Sequence, residues 1–170
     1  PRELVKRLAL AKANKVVIDN TDYLVVGADT VVSFNGKIMG KPKTSAEARL
    51  MLESLSGNTH QVITGVAVVD HKKQRSWIQC KETTVKMRFL SNEEIESYVN
   101  SGEPMDKAGG YAIQDIYFSP AESVDGCISN VVGLPACSLI QLLDSAGYDC
   151  RDYNLPEDCK NHLIKEGYAY

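Results

Sequence analysis

The run Val25 to Val32, V-V-G-A-D-T-V-V, sets a carboxylate inside a segment whose β-branched residues otherwise specify a buried strand. An aspartate taken out of water without a partner costs several kcal/mol, so Asp29 must pair, bind a metal, protonate or face a cleft. A plainer reading is that Gly27 and Asp29 mark a bulge or strand end, with Asp29 capping nearby backbone N–H groups. Both readings put the same demand on the fold: a strand that is apolar at its ends and polar at its centre.

The rest of the chain is long enough to cover such a strand. Its 170 residues fit one domain. With 19 basic against 22 acidic residues and no Lys/Arg stripe interleaved with aromatics, nucleic acid is not expected as a partner. No apolar run approaches ~18 residues, so no membrane partner is expected. Cys80, Cys127, Cys137, Cys150 and Cys159 are odd in number and show no C-x-x-C or His-paired spacing. That pattern suits a reduced, cytoplasmic setting, with no disulfide and no zinc assigned. The chain starts at Pro1 and reads as a fragment or a processed product.

The pattern predicts a helix over Arg2 to Val17, with Leu4, Leu8, Ala11 and Lys15 on one line and Val5 beside it. Tyr23 to Phe34 is the central strand, and Asn35-Gly36 signals a type I′ hairpin into a short strand at Lys37 to Gly40. Thr44-Ser45-Ala46-Glu47 is a capping box opening a helix to about Leu55. His60 to Asp70 is apolar on both faces and reads as a core strand. After a polar turn at His71 to Gln74, Thr84 to Phe89 alternates with Val85, Met87 and Phe89 inward, partnered by the preceding strand. Ser91 to Glu94 is a second capping box, opening a helix to about Asn100 with Ile95, Tyr98 and Val99 inward. Glu103 to Gln114 is a glycine-rich loop dense in polar ligands. A helix runs from Ala136 to about Ala146, and one short helix is expected near Glu157 to Glu166 in a tail without assigned chemistry.

The chain has no P-loop, no G-x-G-x-x-G, no G-x-S-x-G and no H-E-x-x-H, and a P-loop ATPase, a Rossmann dehydrogenase and a serine hydrolase lose support. His60, His71 and His162 are far apart and read as surface or satisfied histidines. Cys127 and Cys137 read as small buried hydrophobes.

Six blocks in order resemble the Maf-like nucleoside triphosphate pyrophosphatases: Arg7 to Ala13 (R-L-A-L-A-K-A), Gly27 to Val32 (G-A-D-T-V-V), Gly40 to Pro42 (G-K-P), Ser56 to Val66 (S-G-N-T-H-Q-V-I-T-G-V), Gly102 to Gln114 (G-E-P-M-D-K-A-G-G-Y-A-I-Q) and Asn130 to Pro135 (N-V-V-G-L-P). They make residues 1–147 the expected domain, with 148–170 a C-terminal extension. The resemblance implies an α/β fold: an elongated mixed sheet with flanking helices, two lobes around a cleft, similar to inosine triphosphate pyrophosphatase. It also implies hydrolysis between the α and β phosphates of a nucleoside triphosphate, a divalent metal of the Mg or Mn type, and a homodimer.

By the same resemblance Asp29 is the proton acceptor, a carboxylate able to activate water beside a metal. Lys12 and Lys41 match basic positions near the triphosphate, where lysine serves as a point charge. Thr30 and Gln114 match the subgroup that prefers dTTP and UTP. Asp106 and Lys107 are expected to organise the cleft floor by pairing with each other or with waters of the metal; the metal ligands themselves are unknown. Without the resemblance, Lys12, Lys41 and the Asp106–Lys107 pair read as solvated side chains.

The sequence departs from the family pattern at its start, where a strand and an S-x-S-P-R-R loop are expected, and at Asp115, where glycine is more common. Without that N-terminal segment the chain is expected to hydrolyse nucleotides weakly or not at all and to be less stable than one restored with it, whereas Asp115 bears on the base-side geometry. The alternative class is a catalytically impaired nucleotide-binding or regulatory module on the same fold.

Overall fold

In the computed structural model, which describes residues 1–16, 23–150 and 154–165, five strands form one sheet in the order β2-β1-β3-β4-β5. In chain order the elements are α1 (Arg2–Asn14), β1 (Leu24–Phe34), β2 (Lys37–Met39), α2 (Ser45–Leu55), β3 (Thr59–Asp70), β4 (Arg75–Met87), α3 (Asn92–Asn100), β5 (Ala121–Asp125), α4 (Ile128–Val132), α5 (Ala136–Ser145) and α6 (Glu157–Lys165). The α/β class with helices flanking a sheet is as expected.

The chain divides into two units. Unit 1 comprises Pro1–Thr30, Ile63–Glu82 and Gly126–Tyr170; unit 2 comprises Val31–Val62 and Thr83–Asp125.

In unit 1, α1 lies directly on the sheet. A Cβ built on Gly27 would meet Ala9 O at 2.2 Å, and one on Gly65 would meet Val5 C and O at 2.4 Å. Only glycine lets helix backbone approach strand backbone this closely. The buried face of α1 is accordingly Val5, Ala9 and Ala13, small residues spaced four apart. Of the line Leu4, Leu8, Ala11 and Lys15 read from the sequence, Ala11 and Lys15 are exposed, and the helix ends at Asn14. Hydrophobicity alone favoured the leucines, whereas the close approach selects alanine. Val17 lies outside the described residues. Beyond the glycines, Ala13 packs with Val25, Val69 and Leu10. Successive strand residues face opposite sides, so Val66 and Val68 turn the other way, to Leu142 and Leu139 of α5.

In unit 2 the β1–β2 hairpin closes at Asn35-Gly36, both at positive φ (49° and 75°), with Phe34 opposite Lys37, as a type I′ turn requires. Thr44 caps α2 by accepting from Glu47 N at 3.1 Å, but the Glu47 carboxylate accepts from Lys43 N rather than completing the reciprocal box. The Ser91–Glu94 box on α3 is complete, and Ile95, Tyr98 and Val99 are its buried residues.

Two further corrections concern β4. It begins at Arg75, well before Thr84, and it ends at Met87, leaving Phe89 78% exposed. The β4–β5 register shifts between Lys86 and Met87, a bulge that breaks the alternation carrying Phe89 inward. Arg88 then leaves the ladder and donates to Ser119 O, Phe118 O and the Glu94 carboxylate. The short strand β5 and the helix α4 were not anticipated. The loop from Glu103 contains two 3₁₀ turns, Glu103–Asp106 and Ala108–Gly110.

Candidate active site

The sequence-selected residues fall into two groupings, each within one unit. In unit 1 are Lys12, Asp29 and Thr30; in unit 2 are Lys41, Asp106, Lys107 and Gln114.

The first grouping follows from the glycine contact. Gly27 and Asp29 face the same side of β1, so the helix resting on Gly27 carries Lys12, one turn after Ala9, over Asp29. Lys12 Nζ lies 2.6 Å from Asp29 Oδ1 and donates to Ala28 O at 2.9 Å. The Asp29 side chain is only 16% exposed while Lys12 is 57% exposed. The carboxylate thus has the partner that its place in an apolar strand demands, and that partner reaches into solvent on a flexible stem. Gly27 does not end the strand, which runs on from Leu24 to Phe34; it is where the helix touches down.

Thr30 faces the opposite side. Its hydroxyl lies 2.9 Å from Thr64 Oγ1, and Thr64 donates to Asn130 O at 3.0 Å. Because the Thr64 proton is used on Asn130 O, Thr30 is the donor to Thr64, which leaves the Thr30 oxygen as an acceptor. Thr64 was not singled out from the sequence, although it lies in the T-G-V end of the Ser56 to Val66 block. Asn130 and Gly133 bring the N-V-V-G-L-P block to the same place, a Cβ on Gly133 falling 3.5 Å from Thr30 Oγ1.

In unit 2, Gly109 N donates to Gly40 O at 3.0 Å, tying the G-K-P segment to D-K-A-G-G. Gly109 sits at φ +70, and a Cβ there would strike Val32 Cγ2 at 2.9 Å. Lys107 Nζ contacts Asp106 Oδ1 at 2.5 Å and Glu103 Oε2 at 3.5 Å. The hydrogen bond from Lys107 holds the Asp106 carboxyl below its ordinary range, and the Lys41 charge adds to this. Asp106 and Lys107 therefore pair with each other, one of the two arrangements expected. Gln114 and Lys41 are exposed.

His60 is buried, and its Nε2 lies 2.6 Å from the Tyr111 hydroxyl. Burial pushes its imidazole down to about 4 and the Tyr111 phenol up. A surface or satisfied histidine was expected; instead the ring is buried and paired at Nε2 alone, its Nδ1 having no hydrogen-bond partner among the described residues, and that it fixes the segment three residues before Gln114 was not legible without knowing its partner. Asp115 accepts from Tyr117 N and Phe118 N, and Phe118 stacks on Tyr98 at 3.8 Å. This turn leaves Tyr117 95% exposed.

Unit 2 also has a groove of about 630 Å³ whose lining includes Glu94, Glu103, Asp115, Tyr98 and Tyr117. Its carboxylates would repel a polyphosphate, and none of the sequence-selected residues lines it. Among the described residues, the group of three or more potential metal ligands with donor atoms within 4.8 Å is Cys127, Cys137 and Cys159, a soft set. No helix among the described residues is long and apolar enough to cross a membrane.

Comparison with known proteins matches residues 1–146 to the family model of Maf-like proteins. The dTTP/UTP pyrophosphatase of Symbiobacterium thermophilum is 47% identical over 148 residues, covering 87% of this chain and 75% of that protein. That of Dictyoglomus thermophilum is 43% identical over 148 residues, covering 87% and 77%. That of Methanosarcina barkeri is 44% identical over 147 residues, covering 86% and 75%.

Proposed function

Because the chain belongs to the Maf-like protein family, we propose that it is a nucleoside triphosphate pyrophosphatase acting on dTTP and UTP. The observation that carries this reading is the Lys12–Asp29 pair at 2.6 Å. It couples a shielded carboxylate to a solvent-reaching cation on the strand that the family resemblance marks as catalytic.

In the proposed reaction, water attacks the α-phosphorus, its proton passes to Asp29, and the bond from that phosphorus to the bridging oxygen breaks. The monophosphate and pyrophosphate leave. Triphosphate oxygens compete with the Asp29 carboxylate for the Lys12 ammonium, so substrate binding draws Lys12 toward phosphate and leaves the carboxylate oxygen open to the attacking water. Lys41 supplies a second phosphate contact, Thr30 and Gln114 read the base, and the Asp106–Lys107 pair supports the loop that carries Gln114.

A divalent cation of the Mg or Mn type suits this donor set. Such ions are held by one or two carboxylates together with substrate phosphates rather than by a protein cage, and Asp29 offers the oxygen ligand in unit 1. When bound it would neutralise phosphate charge. Residues 1–147 form the hydrolytic domain in this reading, the assembly is a homodimer and the setting cytoplasmic.

The test is product analysis with dTTP in water enriched in heavy oxygen. Release of dTMP and pyrophosphate, with the label in dTMP, is the expected result. Orthophosphate with dTDP, or label in pyrophosphate, would overturn the assignment of bond and attacking position.

A further inference from the structure

Three cysteines that the proposed hydrolysis does not use converge in unit 1. Cys127 precedes α4, Cys137 lies in the first turn of α5 and Cys159 lies on α6. All three are buried, at 0%, 1% and 0% exposure, and all carry thiols rather than a disulfide. Cys127 Sγ lies 3.6 Å from Cys159 Sγ and 3.9 Å from Cys137 Sγ. The Ser129 hydroxyl points into the same space, 2.9 Å from Cys127 Sγ and 3.1 Å from Cys159 Sγ. It is held there by the Ala136 N–H at 3.1 Å. On the far side, Asp158 accepts from Ile128 N at 2.9 Å, fixing α6 against α4.

The thiols share a buried cluster with Leu163, and packing as small hydrophobes accounts for their burial but not for a hydroxyl gathered among the sulfurs. The spacing matches something else. A zinc–thiolate bond is about 2.3 Å, and tetrahedral ligands at that distance stand roughly 3.8 Å apart. Two of the three sulfur edges sit within about 0.2 Å of that value as the chain stands. A disulfide would instead require two sulfurs to close to about 2.05 Å and would leave the third unused.

We propose that Cys127, Cys137 and Cys159 form a trithiolate site for a soft cation of the zinc class, separate from the nucleotide site. As each S–metal bond forms, the thiol proton leaves to solvent, and no oxidant or reductant is needed. Thiolate donors select zinc or cuprous ions over the hard Mg and Mn ions, so this site does not compete with the cation that accompanies a triphosphate. The single Ser129 proton is donated to one of its two neighbouring thiolates, Cys127 or Cys159, and orients it. The charge of the Lys81 ammonium acts on Cys137 and offsets the net negative charge of three thiolates around a divalent ion. Cys159 stands outside the segment matched by the family model, residues 1–146, so the site is an addition carried by α6. Occupied, it would tie α6 to α4 and α5.

The test uses the full chain, reduced and stripped with a chelator, titrated with Co²⁺ as a spectroscopic probe and with Zn²⁺ as competitor. Expected are one equivalent bound per chain, a thiolate-to-cobalt charge-transfer band that zinc abolishes, and an unfolding temperature that rises with added zinc. Cys159→Ser should weaken binding at least about tenfold, since loss even of an outer hydrogen bond to a ligand costs that much. Cys80→Ser should bind as the parent does. Cys159→Ser is close in size to the parent and lies on the last helix, and circular dichroism of this variant keeps the test sound should Cys127→Ser fail to fold. No band at one equivalent, a Cys159→Ser variant that binds cobalt as tightly as the parent, or air oxidation to a Cys127–Cys159 disulfide in a reduced protein that took up no metal would each overturn the site. None of these readouts depends on nucleotide hydrolysis.

Discussion

Replacing Gly27 by alanine tests whether the helix contact is what assembles the Lys12–Asp29 pair. The added Cβ would lie 2.2 Å from Ala9 O and 2.8 Å from Ala13 N, both backbone atoms that no rotamer change can move. Ordinary contact begins near 3.4 Å, so α1 must lift by about 1.2 Å at that point. Forcing a methyl into a packed interior costs typically 1–3 kcal/mol, and a backbone clash belongs at the top of that range, about 3 kcal/mol. For a chain of this size that lowers the unfolding temperature by roughly 6–12 °C. Lys12 rides on the displaced turn, and a misplacement of about 1 Å at a reacting group costs on the order of 10²-fold in rate. The assays are thermal unfolding by circular dichroism and pyrophosphate release from dTTP. Gly57→Ala is the control, at φ +68 with nothing within 4 Å; it should cost about 1 kcal/mol of backbone strain and leave the rate alone. If Gly27→Ala melts within about 2 °C of the parent and keeps its activity, the contact does not position the pair and the reasoning fails.

Gly65→Ala should be similarly costly, and because both glycines lie beneath one helix the double variant should lose less stability than the two losses added; strict additivity by urea titration would refute a shared mechanism. Asp29→Asn, which keeps size but removes the base, should retain the fold by circular dichroism and lose roughly 10²-fold or more in pyrophosphate release; an unchanged rate would remove Asp29 from the chemistry. kcat/KM should be higher for dTTP and UTP than for ATP and GTP, with Gln114→Glu shifting the preference; a purine preference in the parent would dismiss the roles of Thr30 and Gln114. The imidazole of His60 titrates near 6.5 when unfolded and near 4 when folded, so between those values the unfolded chain holds the extra proton. Stability from this source is complete above about pH 6.5 and falls by roughly 3 kcal/mol as pH drops toward 4. Urea midpoints should follow that course, and His60→Gln should flatten it.

What was legible in the sequence was whatever local chemistry settles alone. The Asn35-Gly36 turn, the Ser91–Glu94 box and the two-faced apolar pattern of β3 each need only neighbouring residues, and each stands as read. The demand that Asp29 have a partner was also legible, because burial of a carboxylate is costly wherever it occurs. Its partner became identifiable only through Gly27, whose role lies in what it lacks: a missing Cβ is silent until the element across from it is known. The cysteines were illegible for a related reason. Cys127, Cys137 and Cys159 have none of the short spacings that mark a metal motif, and they meet only because α4, α5 and α6 fold back on one another. Strand β5 was hidden because alternating Glu122 and Ser123 carry little apolar signal at a sheet edge.

The division of the chain into units bears on the order in which it can fold during synthesis. Unit 2 is built from two segments that end at Asp125, while unit 1 draws on three, the last beginning at Gly126. A nascent chain emerging N-terminus first therefore holds every part of unit 2 while α1 and the polar centre of β1 still wait for the helices that cover the other face of Thr64 and Val66. During that interval the strands of unit 1 carry apolar surface with one side unprotected, the state in which chains of this size are most open to aggregation and to chaperone capture. Slowing translation after Asp125 would lengthen that exposure, and speeding it would shorten it.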